Sequence, residues 1–197
     1  MAALLLASAS PRRRELLDSV GVVYDVRLSH IDESLVRGSS PKETAGLLAR
    51  AKTEAVLSCS DSSSWQWILG LDTLIDLDGA IIEKATDRAD ALQILQKLSG
   101  RTHRVVTAVC LYSRDTDAFK EGCSESSIRF KDLSDDEIHW FLDSGEWQGA
   151  AGAYMIQGRA ACFIEELCGS HSGVVGLPLP LVYGMLKESG YRFGQFA

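Results

Sequence analysis

Residues 68–84 read Ile-Leu-Gly-Leu-Asp-Thr-Leu-Ile-Asp-Leu-Asp-Gly-Ala-Ile-Ile-Glu-Lys. Two apolar runs meet at Asp78-Gly79, a favoured two-residue hairpin turn, so the stretch predicts two antiparallel strands. Asp72 lies inside the first run, where every neighbour is suited to burial. A carboxylate is expensive to bury unless it is paired, protonated or holding a cation. On these residues alone Asp72 is either a strand-end group that meets solvent or pairs with Lys84, or a functional carboxylate.

Upstream, Ala2–Ala7 is a short continuous apolar run, as in a strand buried on both faces. Ser8-Ala9-Ser10-Pro11 then turns the chain, with Ser10 as N-cap and Pro11 at the first helical position of a helix that Gly21 stops. Arg12 and Arg13 fall in its first turn, where cations oppose the helix dipole. That placement is a solvated basic turn or, as we favour, an anion site in which N–H groups, hydroxyls and guanidinium groups converge on phosphate oxygens. Val22–Leu28 alternates as a second strand. The loop His30–Ser34 follows, and beside a phosphate site its Asp32 or Glu33 would hold a divalent cation. Ser40–Glu43 has the pattern of a capping box and opens a helix to about Leu57. Leu48, Ala51 and Ala55 share one face of it, and Lys52 lies beside that stripe, where a lysine usually snorkels to water. Ser58–Ser64 is a serine-rich loop, and Trp65–Leu69 enters the central hairpin.

Downstream of Lys84 the pattern predicts a helix over Thr86–Gly100, with Leu92, Leu95 and Leu98 inward, and a strand over Val105–Tyr112. Thr116–Lys131 reads as a hairpin return whose second strand includes Ile128 and Phe130. Ser134–Glu137 is a second capping box and starts a short helix, Glu137–Leu142. Residues 145–158 contain four glycines and little charge. Such a loop lets backbone approach a ligand closely, and Gln157 is placed to read a base edge. Phe163–Leu167 reads as a strand, and Val174–Leu181 leads into a last helix ending at Gly190. Strands and helices alternate without repeats or a long linker, which indicates an α/β fold with a mixed sheet.

At 197 residues the chain can bury a proper core, and 46% hydrophobic with 24% charged residues is ordinary globular composition. A net charge of −7 argues against a nucleic-acid surface. Five scattered cysteines without a Cys-x-x-Cys fit reduced thiols, and the four histidines show no helical metal spacing. The apolar start precedes its basic run, the wrong order for a signal peptide, and no stretch reaches the length of a membrane span. These features predict a soluble cytoplasmic protein with no nucleic-acid or membrane partner.

Together the motifs resemble the Maf family of nucleoside triphosphate pyrophosphatases. The matching stretches are Leu-Ala-Ser-Ala-Ser-Pro-Arg-Arg-Arg-Glu-Leu-Leu (6–17), Ile-Asp-Glu-Ser (31–34), Gly-Leu-Asp-Thr (70–73), Leu-Ser-Gly-Arg-Thr-His (98–103), Ala-Gly-Ala-Tyr-Met-Ile-Gln-Gly (151–158) and Val-Val-Gly-Leu-Pro-Leu (174–179). They run in family order over nearly the whole chain. The resemblance implies one Maf-like domain over residues 1–197, with a mixed central sheet flanked by helices and two lobes around a nucleotide-binding groove. It implies a cytoplasmic enzyme that cleaves a nucleoside triphosphate between its α- and β-phosphates and needs a divalent metal, Mg²⁺ or Mn²⁺. Asp72 matches the family's proton acceptor, which is otherwise a direct metal ligand. Ser8, Arg12, Arg13, Lys52 and Lys84 match groups lining the phosphate groove, and Glu33 matches an acidic residue near the metal. Arg12, Thr73 and Gln157 match positions associated with substrate choice. Ala-Gly-Ala-Tyr and Ile-Gln-Gly resemble the dTTP/UTP branch, whereas the 7-methyl-GTP branch typically has glutamate at the position of Gln157. The alternatives are a pyrophosphatase for modified nucleotides and a nucleotide-binding regulator of septum formation with little catalysis. Homodimers are common among similar chains. Two departures stand out: Ala85 replaces a common proline, and Ala150 a common lysine.

Overall fold

The computed structural model describes residues 4–59 and 64–194. The middle of the expected serine-rich loop, 60–63, lies outside the described residues. β1 (Leu4–Leu6) is fully buried, as its unbroken leucine run requires. It pairs in parallel with β2 (Tyr24–Val26) on one side and with the start of β3 (Trp67–Leu77) on the other, Leu6 opposite Leu69. β3 turns through Asp78 and Gly79, both at positive φ (53° and 85°), into β4 (Ala80–Ile82), which pairs back onto Ile75–Leu77. This is the predicted hairpin. Along its other edge β3 runs antiparallel to β5 (Thr102–Ser113), followed by β6 (Ala118–Phe130) and β7 (Ile164–Cys168). The sheet is therefore mixed and seven-stranded, in the order β2-β1-β3-β5-β6-β7 with β4 on β3.

One edge of β3 thus carries β1 at residues 67–69 and β4 at 75–77. Among the described residues no strand pairs with residues 70–74 on that edge, and Asp72 sits at the centre of the opening.

Among the described residues six α-helices flank the sheet: α1 (Pro11–Ser19), α2 (Pro41–Leu57), α3 (Arg88–Leu98), α4 (Asp135–Asp143), α5 (His171–Val175) and α6 (Leu179–Glu188). On one face α2 packs on Ile68, Val106 and Ala108 through Ala45, Ala49 and Val56. The other face is split. Leu69 and Leu71 join Leu4, Leu6, Leu17 and Val182 in a cluster under α1 and α6. Ile75 and Leu77 join Leu95, Phe130, Phe141 and Phe163 in a second cluster under α3 and α4. These two cores make the two lobes.

Local chemistry sets the ends. Ser134 and Glu137 form both bonds of a capping box, as predicted. Ser40 Oγ accepts the Glu43 N–H, but the Glu43 carboxylate reaches back to Ser39 N–H and Oγ, one residue earlier than the box expected. Ser10 occupies the N-cap position without capping: Ser8 Oγ accepts the Ser10 N–H at 3.2 Å instead. α3 is shorter than predicted because Asp87 caps it and accepts from Asp90 N–H. The 116–131 return is a 13-residue strand, and α5, capped by Ser170, starts three residues before the Val174–Leu181 stretch read as a lead-in to the last helix.

The α2 face also differs from expectation. Its buried residues include Ala45, Leu48, Ala49, Lys52, Thr53 and Val56, while Ala51 and Ala55 are only half-buried. Lys52 is in the buried stripe, not beside it. The cause lies in β3: a Cβ at Gly70 would collide with Thr53 Oγ1 and stand 2.6 Å from the Ala49 carbonyl oxygen. The bare glycine lets α2 settle against the strand, which turns its small residues inward.

Candidate active site

The opening in the β3 edge is the floor of a cleft of about 620 Å³ between the two lobes. Ser8, Arg12, Arg13, Glu33, Lys52, Asp72, Thr73, Lys84 and Gln157 all line it. All nine residues singled out in the sequence therefore converge on one cavity.

The even-numbered residues of β3 face α2, so Asp72 meets Lys52. Lys52 Nζ donates to Asp72 Oδ1 at 2.6 Å and lies 2.8 Å from Glu33 Oε1. The Lys52 and Asp72 side chains are 10% and 7% exposed, that of Glu33 50%. Glu33 comes from a 3-10 turn (Glu33–Leu35) that Asp32 caps by accepting from Ser34. Asp32 is thus occupied as a cap, and Glu33 is the acid that reaches the cleft. Partial burial pushes the Glu33 carboxyl up, but the Lys52 hydrogen bond and the fields of Lys52, Lys84 and Arg13 together hold it below its ordinary value. Asp72 Oδ2 is buried with no hydrogen-bond partner among the described residues.

The odd-numbered face belongs to Arg13. Its Nε donates to Gly176 O (2.8 Å), Nη1 to Ser8 Oγ (2.9 Å) and Leu71 O (3.0 Å), and Nη2 to Thr73 Oγ1 (3.1 Å). Four of the five guanidinium N–H groups are therefore used within the protein. Burial draws this guanidinium below its ordinary pKa, with Asp72 opposing, and it remains protonated. Arg13 lines the cleft and is also a strut, with one guanidinium N–H left over. Its bonds orient two hydroxyls. Ser8 Oγ accepts from both Arg13 and Ser10 N–H, which leaves its own proton for a ligand. Thr107 Oγ1 gives its proton to Gly173 O, so Thr73 must donate to Thr107 across the 2.9 Å between their hydroxyls.

Arg12 is only half-buried, and Nη1 donates to Met155 Sδ at 2.9 Å. A thioether is a weak acceptor, so this guanidinium is held at the cleft without strong competition for an anion. Lys84 is exposed, and its backbone bridges to Ala151 of the glycine-rich segment. Gln157 is exposed on the cleft wall. Ala150 is buried in that wall. Met155, Thr107 and the Gly176 carbonyl were not foreseen. Only the β3–β5 register, which sets Thr73 opposite Thr107, would have flagged one of them.

A family profile described as Maf-like protein matches residues 3–189. The chain belongs to the Maf family. Its relatives include a protein of Rhodopseudomonas palustris, 42% identical and covering 95% of this chain and 92% of the relative. Another, from Treponema denticola, is 40% identical over 98% of this chain and 99% of the relative. A third, from Symbiobacterium thermophilum, is 42% identical over 97% and 96%. Each of the three is named dTTP/UTP pyrophosphatase. Among solved structures, the Staphylococcus aureus Ham1 protein superposes with a TM-score of 0.51 at 15% identity, covering 94% of this chain and 98% of that one. At that identity the likeness shows the fold alone, and it agrees with the mixed sheet and flanking helices expected of a Maf protein.

Among the described residues no group of three or more His, Cys, Asp or Glu is placed to hold a metal ion, and no helix is long and apolar enough to cross a membrane. The oxygen donors available are Asp72 and Glu33, with Asp72 Oδ2 unspent. That set fits a hard cation of the magnesium kind, which takes one or two carboxylates and completes its shell with phosphate oxygens and water.

Proposed function

We propose that this Maf protein hydrolyses dTTP and UTP to the nucleoside monophosphate and pyrophosphate. The observation that carries it is the buried Asp72–Lys52 pair with its unspent carboxylate oxygen, at the floor of a cleft walled by Arg12, Arg13, Lys84 and Ser8. The names of relatives at about 40% identity support the choice of nucleotide. In the reaction a water oxygen bonds to the α-phosphorus, the bond from that phosphorus to the α,β-bridging oxygen breaks, and pyrophosphate leaves with the electron pair. Asp72 accepts the water's proton, and Lys52 orients that carboxylate through its hydrogen bond to Oδ1. Arg12, Lys84 and the Ser8 hydroxyl bind phosphate oxygens and offset their charge. Arg13 acts mainly by holding Ser8 and Thr73 in place. A divalent cation, Mg²⁺ or Mn²⁺, would be held by Glu33 and Asp72 and would neutralise phosphate charge when bound. Gln157 and Thr73, both on the cleft lining, are the residues we assign to nucleotide choice.

The reading carries a cytoplasmic location and a homodimer. Val20, Val23, Val26 and Leu28 are exposed beside the edge strand β2, surface that a second copy would cover. A light-scattering mass of one chain would refute the dimer. The deciding assay is pyrophosphate release from dTTP, UTP, CTP and 7-methyl-GTP with Mg²⁺ or Mn²⁺, beside Asp72→Asn. Preferential dTTP and UTP turnover, lowered about 10²- to 10⁴-fold in the variant, is expected of a lost proton acceptor. Tight binding without turnover would support the regulator, and turnover of 7-methyl-GTP alone would support the other enzyme branch.

A further inference from the structure

His103 of β5 is 2% exposed, and its Nε2 lies 2.7 Å from Tyr154 Oη. Both rings stack edge-on with Phe130, at 5.1 Å for His103 and 4.9 Å for Tyr154. His103 Nδ1 is buried with no hydrogen-bond partner, one of only four such side-chain atoms among the described residues. Asp72 Oδ2 is another. A neutral imidazole and a phenol have one hydrogen each to give, and a single bond joins them. One polar hydrogen of the pair is therefore unspent within the protein. An unsatisfied buried polar group costs about 1–3 kcal/mol, whereas apolar groups of the same shape at both positions are close to neutral. Stability does not account for a polar pair here.

The pair anchors a segment that the cleft uses. Tyr154 lines the cleft, Met155 next to it receives Arg12, and Gln157 follows on the same wall. The segment is fixed on its other side by the Ala151–Lys84 bridge. Gly152 (φ 64°) packs so closely that a Cβ would be 2.7 Å from Ile75 Cγ1, and Ala153 is held at φ 57°, unusual for a residue with a side chain. Among the described residues, His103 is the polar partner that holds the Tyr154 side chain against this strained backbone.

We propose that the His103–Tyr154 hydrogen bond is a positioning device for substrate choice, setting the 151–157 segment and with it Arg12 and Gln157. It rests on the dTTP/UTP reading. Neither residue touches the reacting phosphorus, so its effect falls on nucleotide binding and discrimination and not on the chemical step.

The test compares wild type with His103→Gln, which keeps a donor and an acceptor, and with the double variant His103→Phe/Tyr154→Phe, which keeps the aromatic packing. The readouts are Tm, kcat and KM for dTTP, the dTTP:CTP ratio of kcat/KM, and amide hydrogen exchange over 151–157. For the double variant we expect a Tm within a few degrees of wild type, kcat within about twofold, KM raised about tenfold and a correspondingly lower ratio. Exchange over 151–157 becomes faster, and His103→Gln stays near wild type throughout. A double variant with unchanged KM, ratio and exchange overturns the proposal. So does a lowered Tm with unchanged kinetics, which would make the pair packing alone. If wild type hydrolyses no nucleotide, the proposed function fails by itself. The positioning role is then decided by exchange and by the Kd of a non-hydrolysable dTTP analogue.

Discussion

Replacing Lys52 with methionine keeps the apolar stem and deletes only the ammonium that lies 2.6 Å from Asp72 and 2.8 Å from Glu33. Asp72 is 7% exposed and would be left as an uncompensated buried charge, a change that costs about 3–5 kcal/mol. The Glu33 arm is half exposed and adds only ~0–1 kcal/mol. For a chain of this size each kcal/mol moves Tm by roughly 2–4 °C, so Lys52→Met should melt roughly 6–24 °C below wild type. Two companions make the outcome specific. Lys52→Met/Asp72→Asn removes both charges and should be more stable than Lys52→Met alone. Magnesium should raise the Tm of Lys52→Met more than that of wild type, because the ion no longer competes with the ammonium. At a free concentration about a hundred times Kd that gain is about 2.7 kcal/mol. Scanning calorimetry with and without magnesium reads all three. A Lys52→Met protein within about 1 kcal/mol of wild type, or one that magnesium stabilises no more than wild type, would refute this account of the site.

Three more outcomes follow from particular residues. His103 is held neutral by burial, its pKa drawn from 6.5 down to about 4. Between those values the unfolded chain takes up a proton that the native chain refuses, so stability falls as pH drops through this window, by about 3 kcal/mol in all. Denaturant unfolding against pH should show this acid limb in wild type and a flatter one in His103→Phe. Gly70→Ala would press a methyl group against Thr53 and the Ala49 carbonyl oxygen, which pushes α2 and Lys52 outward. It should cost about 1–3 kcal/mol in chemical denaturation and lower kcat beyond what Tm accounts for. Gln157→Glu should lower kcat/KM for dTTP and UTP while raising it for 7-methyl-GTP, and equal activity of both proteins on all three nucleotides would remove Gln157 from substrate choice.

Much of this architecture was legible because its determinants are local. Asp78-Gly79 states its own turn, Ser134 and Glu137 their own cap, and the leucines of 4–6 their double burial. The site was legible in membership, since all nine residues line one cleft, but not in role. Arg12 and Arg13 are adjacent cations in one helical turn, and nothing local says that the first meets a thioether while the second is buried among four acceptors. Lys52 was misjudged because counting apolar residues along α2 ignores Gly70, whose missing side chain decides which face of the helix turns inward. The His103–Tyr154 bond spans 51 positions and has no pattern to betray it.

The gap along the edge of β3 has a mechanical consequence. A single strand is shared by both lobes: residues 67–69 are stitched to β1, 75–77 to β4, and the opposite edge to β5 without interruption from Trp67 to Asp76. The lobes have no joint between them, because bending one away from the other would break the β3–β5 ladder. Crystals grown with and without nucleotide should superpose along that ladder, with the difference carried by the Glu33 turn and the 145–158 segment. This enzyme is built like a vice with a fixed bed, in which the jaws are loops and the carboxylate is bolted to the frame.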